Sequence, residues 1–315
     1  MQNEFCKYCK QSYCIDEKIS YICQNEYEYF FSKPNVVGVG LGYKISNGFN
    51  TNKKCIKVFV SRKVPKNQIS CNYMIPSNYK NIETDVIESG IIRAISLKDR
   101  VRPVTAGYSI GPLTKIYGGS MGCLLTDGVD YYILSCNHVL AYFGEVSLNT
   151  PILQPSVIDG GKKESDIFAI LSKYIPIKFE STFSHPTNYV DCAVAKVINK
   201  SLVSSSITLI GKPKGLIIPR LNEPVQKVGK STGLTVGKIL AIDCSTKVLF
   251  SNGKSGVFKK QIATNLLVKG GDSGSVMLDY NNNIIGLLIS GTDTISIANS
   301  IQNVLDILKL RLVTN

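Results

Sequence analysis

Residues 268–278 read VKGGDSGSVML, a glycine-rich knot between two apolar runs. Two readings are open. Gly and Asp tolerate positive φ, so Gly270-Gly271-Asp272-Ser273-Gly274 makes a good turn between strands. Alternatively, Ser273 is a nucleophile, and glycines flank it so that backbone N–H groups can approach a reacting carbonyl. A motif this short does not choose between them; its context does.

A serine nucleophile needs a base within reach of its hydroxyl, almost always a histidine. The chain has two histidines, His138 and His185. The α/β-hydrolase order of Ser, acid, His is excluded, because no histidine follows Ser273 and position 275 is Ser where the nucleophile elbow needs Gly. The subtilisin order would place the acid before His138. Asp127 and Asp130 stand there, but at a hairpin tip, with nothing to aim them inward. The order His, Asp, Ser fits. His138 ends a strand pattern in YYILSCNHVL, Asp191 opens the strand pattern DCAVAKV, and Ser273 follows. Taken singly, His138 reads as a core histidine at a strand end and Asp191 as a turn residue. Agreement in residue type and order favours a triad. His185, in the loop-like SHPTN, is the spare base.

The stretches NVVGVGLGYK, GGSMGCLL, YYILSCNHVL, LQPSVIDGG, YVDCAVAKV, VQKVGKSTGLTVGKI, GGDSGSVMLD and IIGLLISG follow one another from residue 35 to 291. With them the chain resembles the chymotrypsin-like (trypsin-like) serine peptidases, in the bacterial branch related to the plant narrow-leaf protease. The resemblance implies a double β-barrel and a serine endopeptidase acting on a protein or peptide substrate through an acyl-enzyme. It makes His138 the general base, Asp191 its orienting acid and Ser273 the nucleophile, with the N–H groups of Gly271 and Ser273 as the oxyanion hole. It also puts the base of the side-chain pocket near Leu267. No acid stands there to select Lys or Arg, so an apolar or small side chain is expected. Ser290 and Gly291, ending GLLISG, would pair with an extended substrate as an added strand. Many members become active when a freed N-terminus pairs with the Asp before the nucleophile, here Asp272. No activation site is evident, so constitutive activity is expected. A catalytically silent, peptide-binding relative is the alternative reading.

Composition bounds the rest. Hydrophobic residues at 44% and charged residues at 19% are ordinary for a globular chain of 315 residues and exclude disorder. The formal charge of +13 invites an anionic partner. Lys and Arg are scattered, however, with no basic run interleaved with aromatics, so no nucleic-acid partner is expected. No apolar run has the length of a membrane span, and MQNEFCKYCKQSYCIDEKIS lacks the apolar segment of a secretion signal. A cytoplasmic protein without membrane contact follows, and its scattered cysteines read as reduced thiols.

Residues 17–33 carry Ile19, Ile22, Cys23, Tyr27 and Phe30 at near-helical spacing and stop at Pro34. The pattern then turns to strands at 35–44, 55–64 and 83–92. The Pro/Gly-punctuated segment 96–111 sets a boundary near residue 97. Further strand patterns are 121–126 and 131–136 around Asp127-Gly128, then 166–171, 192–198, 224–229, 238–243, 247–251, 275–280 and 283–290. Residues 299–310 place Ile301, Val304, Leu305 and Leu308 on one helical face. The expected fold is mainly β: a small α+β domain (1–97), given a regulatory role, then a double β-barrel (98–315) closed by a C-terminal helix. The sub-barrels are expected at roughly 100–200 and 205–298, with the cleft between them.

Three stretches imitate other chemistry. VGKSTG (228–233) echoes a phosphate loop, but Pro224 replaces the required upstream glycine. GVGLG (38–42) lacks the dinucleotide-loop spacing and reads as a tight strand. Cys6-x-x-Cys9 with Cys14 and Cys23 supplies half of a zinc signature, and the second half is missing. Free thiols are therefore expected there, with no metal or cofactor.

Overall fold

The computed structural model describes residues 5–46, 48–92 and 96–314, with side chains from residue 15 onward. The zinc reading of Cys6, Cys9 and Cys14 therefore lies outside the described residues. The chain divides into two compact units, Met1–Ile95 and Ser96–Asn315.

The first unit holds helices α1 (Phe5–Asn25) and α2 (Tyr27–Phe31) and strands β1 (Val36–Ser46), β2 (Phe49–Val60), β3 (Asn78–Tyr79) and β4 (Ile82–Glu88). The sheet order is β1-β2-β4-β3, with β4 parallel to β2 and the other pairs antiparallel. Ile19, Ile22 and Phe30 from the helices bury against Ile56, Val58 and Ile82 of the sheet. Tyr27, grouped with them by spacing, is exposed, because the helix breaks at Glu26 and restarts with a new phase. The strand expected over 55–64 leaves the sheet after Val60. Pro65 has no N–H for a ladder, so the segment continues as an extended loop.

The second unit contains two eight-stranded sheets, completed by the short edge strands Arg311–Leu312 in the first and Thr187–Asn188 and Gly215–Leu216 in the second. The first uses β5 (Ser109–Pro112), β6 (Gly119–Ser120), β7 (Leu124–Thr126), β8 (Tyr131–Ser135), β9 (Pro151–Leu153), β10 (Ile167–Tyr174) and β11 (Ala193–Val197). The bent stretch from β6 to β7 pairs with β5 at one end and β8 at the other. Between them Gly122 N–H donates to Leu134 O and Leu134 N–H to Cys123 O, closing the sheet on itself. The second uses β12 (Pro224–Gly229), β13 (Gly233–Leu249), β14 (Ser255–Thr264), β15 (Val276–Leu278), β16 (Asn283–Gly291) and β17 (Ser296–Ser300). Its pairs run β12-β13-β14-β17-β16-β15 and back to β12, a closed antiparallel barrel. Closure removes the free edges that an open sheet would expose.

This is the expected mainly β arrangement of two barrels. The terminal helix (Ile301–Leu308) buries the four residues that its periodicity singled out. Another strand expectation changes here. The patterns at 238–243 and 247–251 belong to a single strand, β13. Asp243 (φ 54°) and Lys260 (φ 57°) lie in the register shifts on either side of the Cys244–Gln261 pair, and the irregularity at Asp243 resets the in/out phase without ending the strand.

Candidate active site

Ser273 sits in the turn that precedes β15. Gly271 (φ 99°) and Gly274 (φ 90°) adopt backbone that side chains disfavour. Space forbids a side chain as well: a Cβ on Gly274 would lie 2.0 Å from Ser135 Oγ and 2.5 Å from Ser120 O. Asp272 N–H donates to Lys269 O, Gly274 N–H to Leu288 O and Ser275 N–H to Asp272 O. Among the described residues, no group accepts the N–H of Gly271 or Ser273. Asp272 and Ser275 thus donate within the turn and Gly274 donates to the neighbouring strand, while the Gly271 and Ser273 donors flank the Ser273 hydroxyl unspent.

His138 lies in the short helical turn Asn137–Leu140 that follows β8. Asn137 fixes that turn by donating from Nδ2 to Ile175 O at 2.6 Å. Asp191 stands two residues before β11 and is fully buried. Its Oδ2 lies 2.5 Å from His138 Nδ1, and its Oδ1 accepts the His138 backbone N–H at 3.2 Å. Nδ1 is therefore the donor and Nε2 the basic nitrogen. Asp191 is itself held by Asn299, whose Oδ1 accepts the Asp191 N–H at 2.8 Å. Asn299 Nδ2 donates to Gln261 Oε1 (2.6 Å), and Gln261 Nε2 to Tyr189 O (2.9 Å). So β14 and β17 of the second barrel orient the acid of the first. Asn299 and Gln261 were not found by sequence reading; neither stands in a motif.

His138 and Ser273 line one cavity of about 230 Å³, together with Ser290 and Gly291. Its apolar wall is Val248, Phe250, Val268, Leu288 and Ile289. Phe250 directly follows β13 and packs against the His138 ring, with centroids 5.6 Å apart. Tyr117 also lines the cavity, and burial pushes its phenol up to about 12, against a hydrogen bond with Ser251 that lowers it. Leu267 does not line the cavity and is half exposed; its neighbour Val268 faces inward instead. The two neighbours, in the extended segment after β14, turn to opposite sides, so an offset of one residue inverts the assignment. A Cβ on Gly291 would sit 2.3 Å from Val268 Cγ2, so that glycine sets the gap between these walls. Ser273 Oγ donates to Ile289 O at 3.1 Å. His185 is exposed, near Glu180.

Asp272, also lining the cavity, is fully buried and ion-paired with the fully buried Lys227 (Nζ–Oδ2 3.2 Å). Its carboxylate further accepts from Ser231 N, Thr232 N, Thr232 Oγ1 and Lys269 N at 2.7–3.1 Å. Burial raises the Asp272 carboxyl, but Lys227 and these donors outweigh it and hold it below the usual carboxylate range. The phosphate-loop echo VGKSTG therefore has a use: its Ser231-Thr232 amides cradle the carboxylate of this chain's own Asp272. Lys227 supplies the buried cation that neutralises it.

Among the described residues, Cys136, His138 and Asp191 are the one group whose ligand atoms cluster as a metal site would need, within 4.8 Å. They do not fit a metal. Burial first, and then Asp191, push the Cys136 thiol well above its ordinary value, and it donates to Leu288 O at 3.2 Å. The Asp191 carboxylate is taken up by His138.

No family model matches the chain, and no curated protein sequence matches it. Solved structures do resemble it. Protease A of Thermobifida fusca aligns at 17% identity with a TM-score of 0.49, over 67% of this chain and 99% of its own. Cellulomonas bogoriensis chymotrypsin aligns at 16% with a TM-score of 0.47, over 67% and 99%. Nocardiopsis protease aligns at 15% with a TM-score of 0.49, over the same shares. No helix among the described residues is long and apolar enough to cross a membrane.

Proposed function

We propose that the second unit is a serine endopeptidase that hydrolyses peptide bonds through an acyl-enzyme. One observation carries the reading. A buried His138–Asp191 pair and the Ser273 hydroxyl line one cavity, beside two unspent backbone N–H groups. The Ser273 proton leaves Ile289 O and passes to His138 Nε2 as Oγ attacks the scissile carbonyl. Asp191 stabilises the imidazolium, and the Gly271 and Ser273 N–H groups receive the oxyanion. The imidazolium then protonates the leaving amine, and water repeats the sequence to free the acid. Val248, Phe250, Val268 and Ile289 favour an apolar side chain before the scissile bond. The one lining carboxylate, Asp272, is spent on Lys227, which disfavours selection of Lys or Arg. Since Lys227 already neutralises Asp272, activity needs no prior cleavage. Within the chymotrypsin-like class, the order of its motifs supports the branch related to the plant narrow-leaf protease, as a cytoplasmic enzyme.

A second reading has its own observation: Ser273 Oγ rests on Ile289 O, and no hydrogen bond to His138 is present among the described residues. A silent peptide-binding module would keep that arrangement. Apo sites often hold such bonds loosely until substrate arrives. Incubation with a peptide library read by mass spectrometry separates the two. Cleavage after apolar residues by wild type, absent in Ser273→Ala, is expected; binding without cleavage by wild type would establish the module instead.

A further inference from the structure

The first unit contains a larger hollow, of about 470 Å³. Its floor is apolar: Val60 at the end of β2, Val86 of β4, and Ile69, Met74 and Ile75 from the segment between β2 and β3. Around it stand Arg62, Lys63 and Lys66, all exposed. Among the described residues, none of these three cations is ion-paired. Four acids of the unit are ion-paired with other lysines: Asp16 with Lys54, Glu26 with Lys80, Glu83 with Lys44 and Asp85 with Lys57, and Lys63 adds its field at Asp85. Glu88, beside the hollow, accepts the backbone N–H of Lys63 at 2.9 Å. The side chains of Gln68 and Ser70 add neutral polar groups to the wall.

An apolar floor with a few convergent polar groups, in this size range, is how ligand sites are built. The three exposed cations give the hollow a positive rim that is complementary to an anion. The neutral Gln68 and Ser70 groups suit peptide N–H and C=O and have no use for a bare hydrocarbon chain. We propose that this hollow binds the free C-terminus of an apolar peptide. The last side chains fill the floor, and the α-carboxylate pairs with Arg62, Lys63 and Lys66. Backbone and terminal-carboxylate capture by fixed polar groups is an established mode of peptide recognition. The site is independent of Ser273 chemistry.

The test is fluorescence polarisation on the full chain carrying Ser273→Ala, which prevents turnover. The probe is an N-terminally labelled peptide ending in Val-Leu-Phe, as free acid and as amide. The free acid is expected to bind about tenfold more tightly than the amide. Arg62→Ala/Lys63→Ala/Lys66→Ala, whose positions are solvent-exposed, is expected to remove that preference. Ile69→Asp is expected to abolish binding while circular dichroism stays unchanged. Equal binding of acid and amide overturns the proposal. So does binding that survives the triple variant, which would place the peptide in the catalytic cavity. Displacement by dodecanoate at lower concentration than by the unlabelled peptide would make the ligand a fatty acid and overturn it too.

Discussion

Asp191, behind His138, and Asp272, beside Ser273, are both fully buried carboxylates, yet they are built in opposite ways. Asp191 accepts two hydrogen bonds, both from His138. Asp272 accepts five, from four residues of the second barrel, one of them the buried Lys227. The first arrangement leaves the carboxylate answering to one imidazole, so a proton arriving on Nε2 is felt at once. The second fixes the carboxylate so firmly that it serves as an anchor for the turn carrying Gly271 and Ser273. A carboxylate that must respond has few partners; one that must hold shape has many.

Three experiments sharpen or break that contrast. Asp191→Asn should cost about 10⁴ in kcat/KM, because the amide favours the wrong His138 tautomer, while urea unfolding shifts little. Comparable losses of stability and activity would mean that Asp191 is an anchor as well. Lys227→Ala should have the reverse profile in equilibrium unfolding. Removing one partner of a buried ion pair costs about 3–5 kcal/mol. An unchanged midpoint would show that the Ser231, Thr232 and Lys269 donors suffice without the cation.

The smallest effect concerns pH. The Asp272 carboxyl is held below its ordinary value, so the folded state binds its proton less readily than the unfolded chain. Its contribution is fully present above the unfolded value of about 4 and is lost as pH falls through the folded one. Stability measured against pH should therefore decline below about pH 4, and Asp272→Asn should flatten that limb. An acid limb unaltered by Asp272→Asn would assign the decline to other carboxylates.

The three residues proposed for chemistry were legible because each sits in a local signal: a glycine-bound turn for Ser273, strand ends for His138 and Asp191. The double barrel was legible from hairpin spacing. What escaped lies at long range. Asn299 and Gln261 reach Asp191 only because β14 and β17 pair in a closed barrel. Lys227 is an ordinary lysine in a strand pattern until the fold buries it against Asp272. Phe250 arrives at His138 from just past the end of a 17-residue strand that the sequence pattern divided in two. Leu267 and Val268 differ by one position, and no pattern reports which of two neighbours turns inward when the turn geometry is unknown.

The central claim is that His138 activates Ser273 in the protein as it stands. Labelling by a fluorophosphonate probe tests it most directly, because the probe reacts with an activated serine irrespective of substrate preference. Wild type is expected to label, and Ser273→Ala and His138→Ala, folded by circular dichroism, are not. A folded wild type that stays unlabelled, or a His138→Ala variant that labels as fast as wild type, would contradict it.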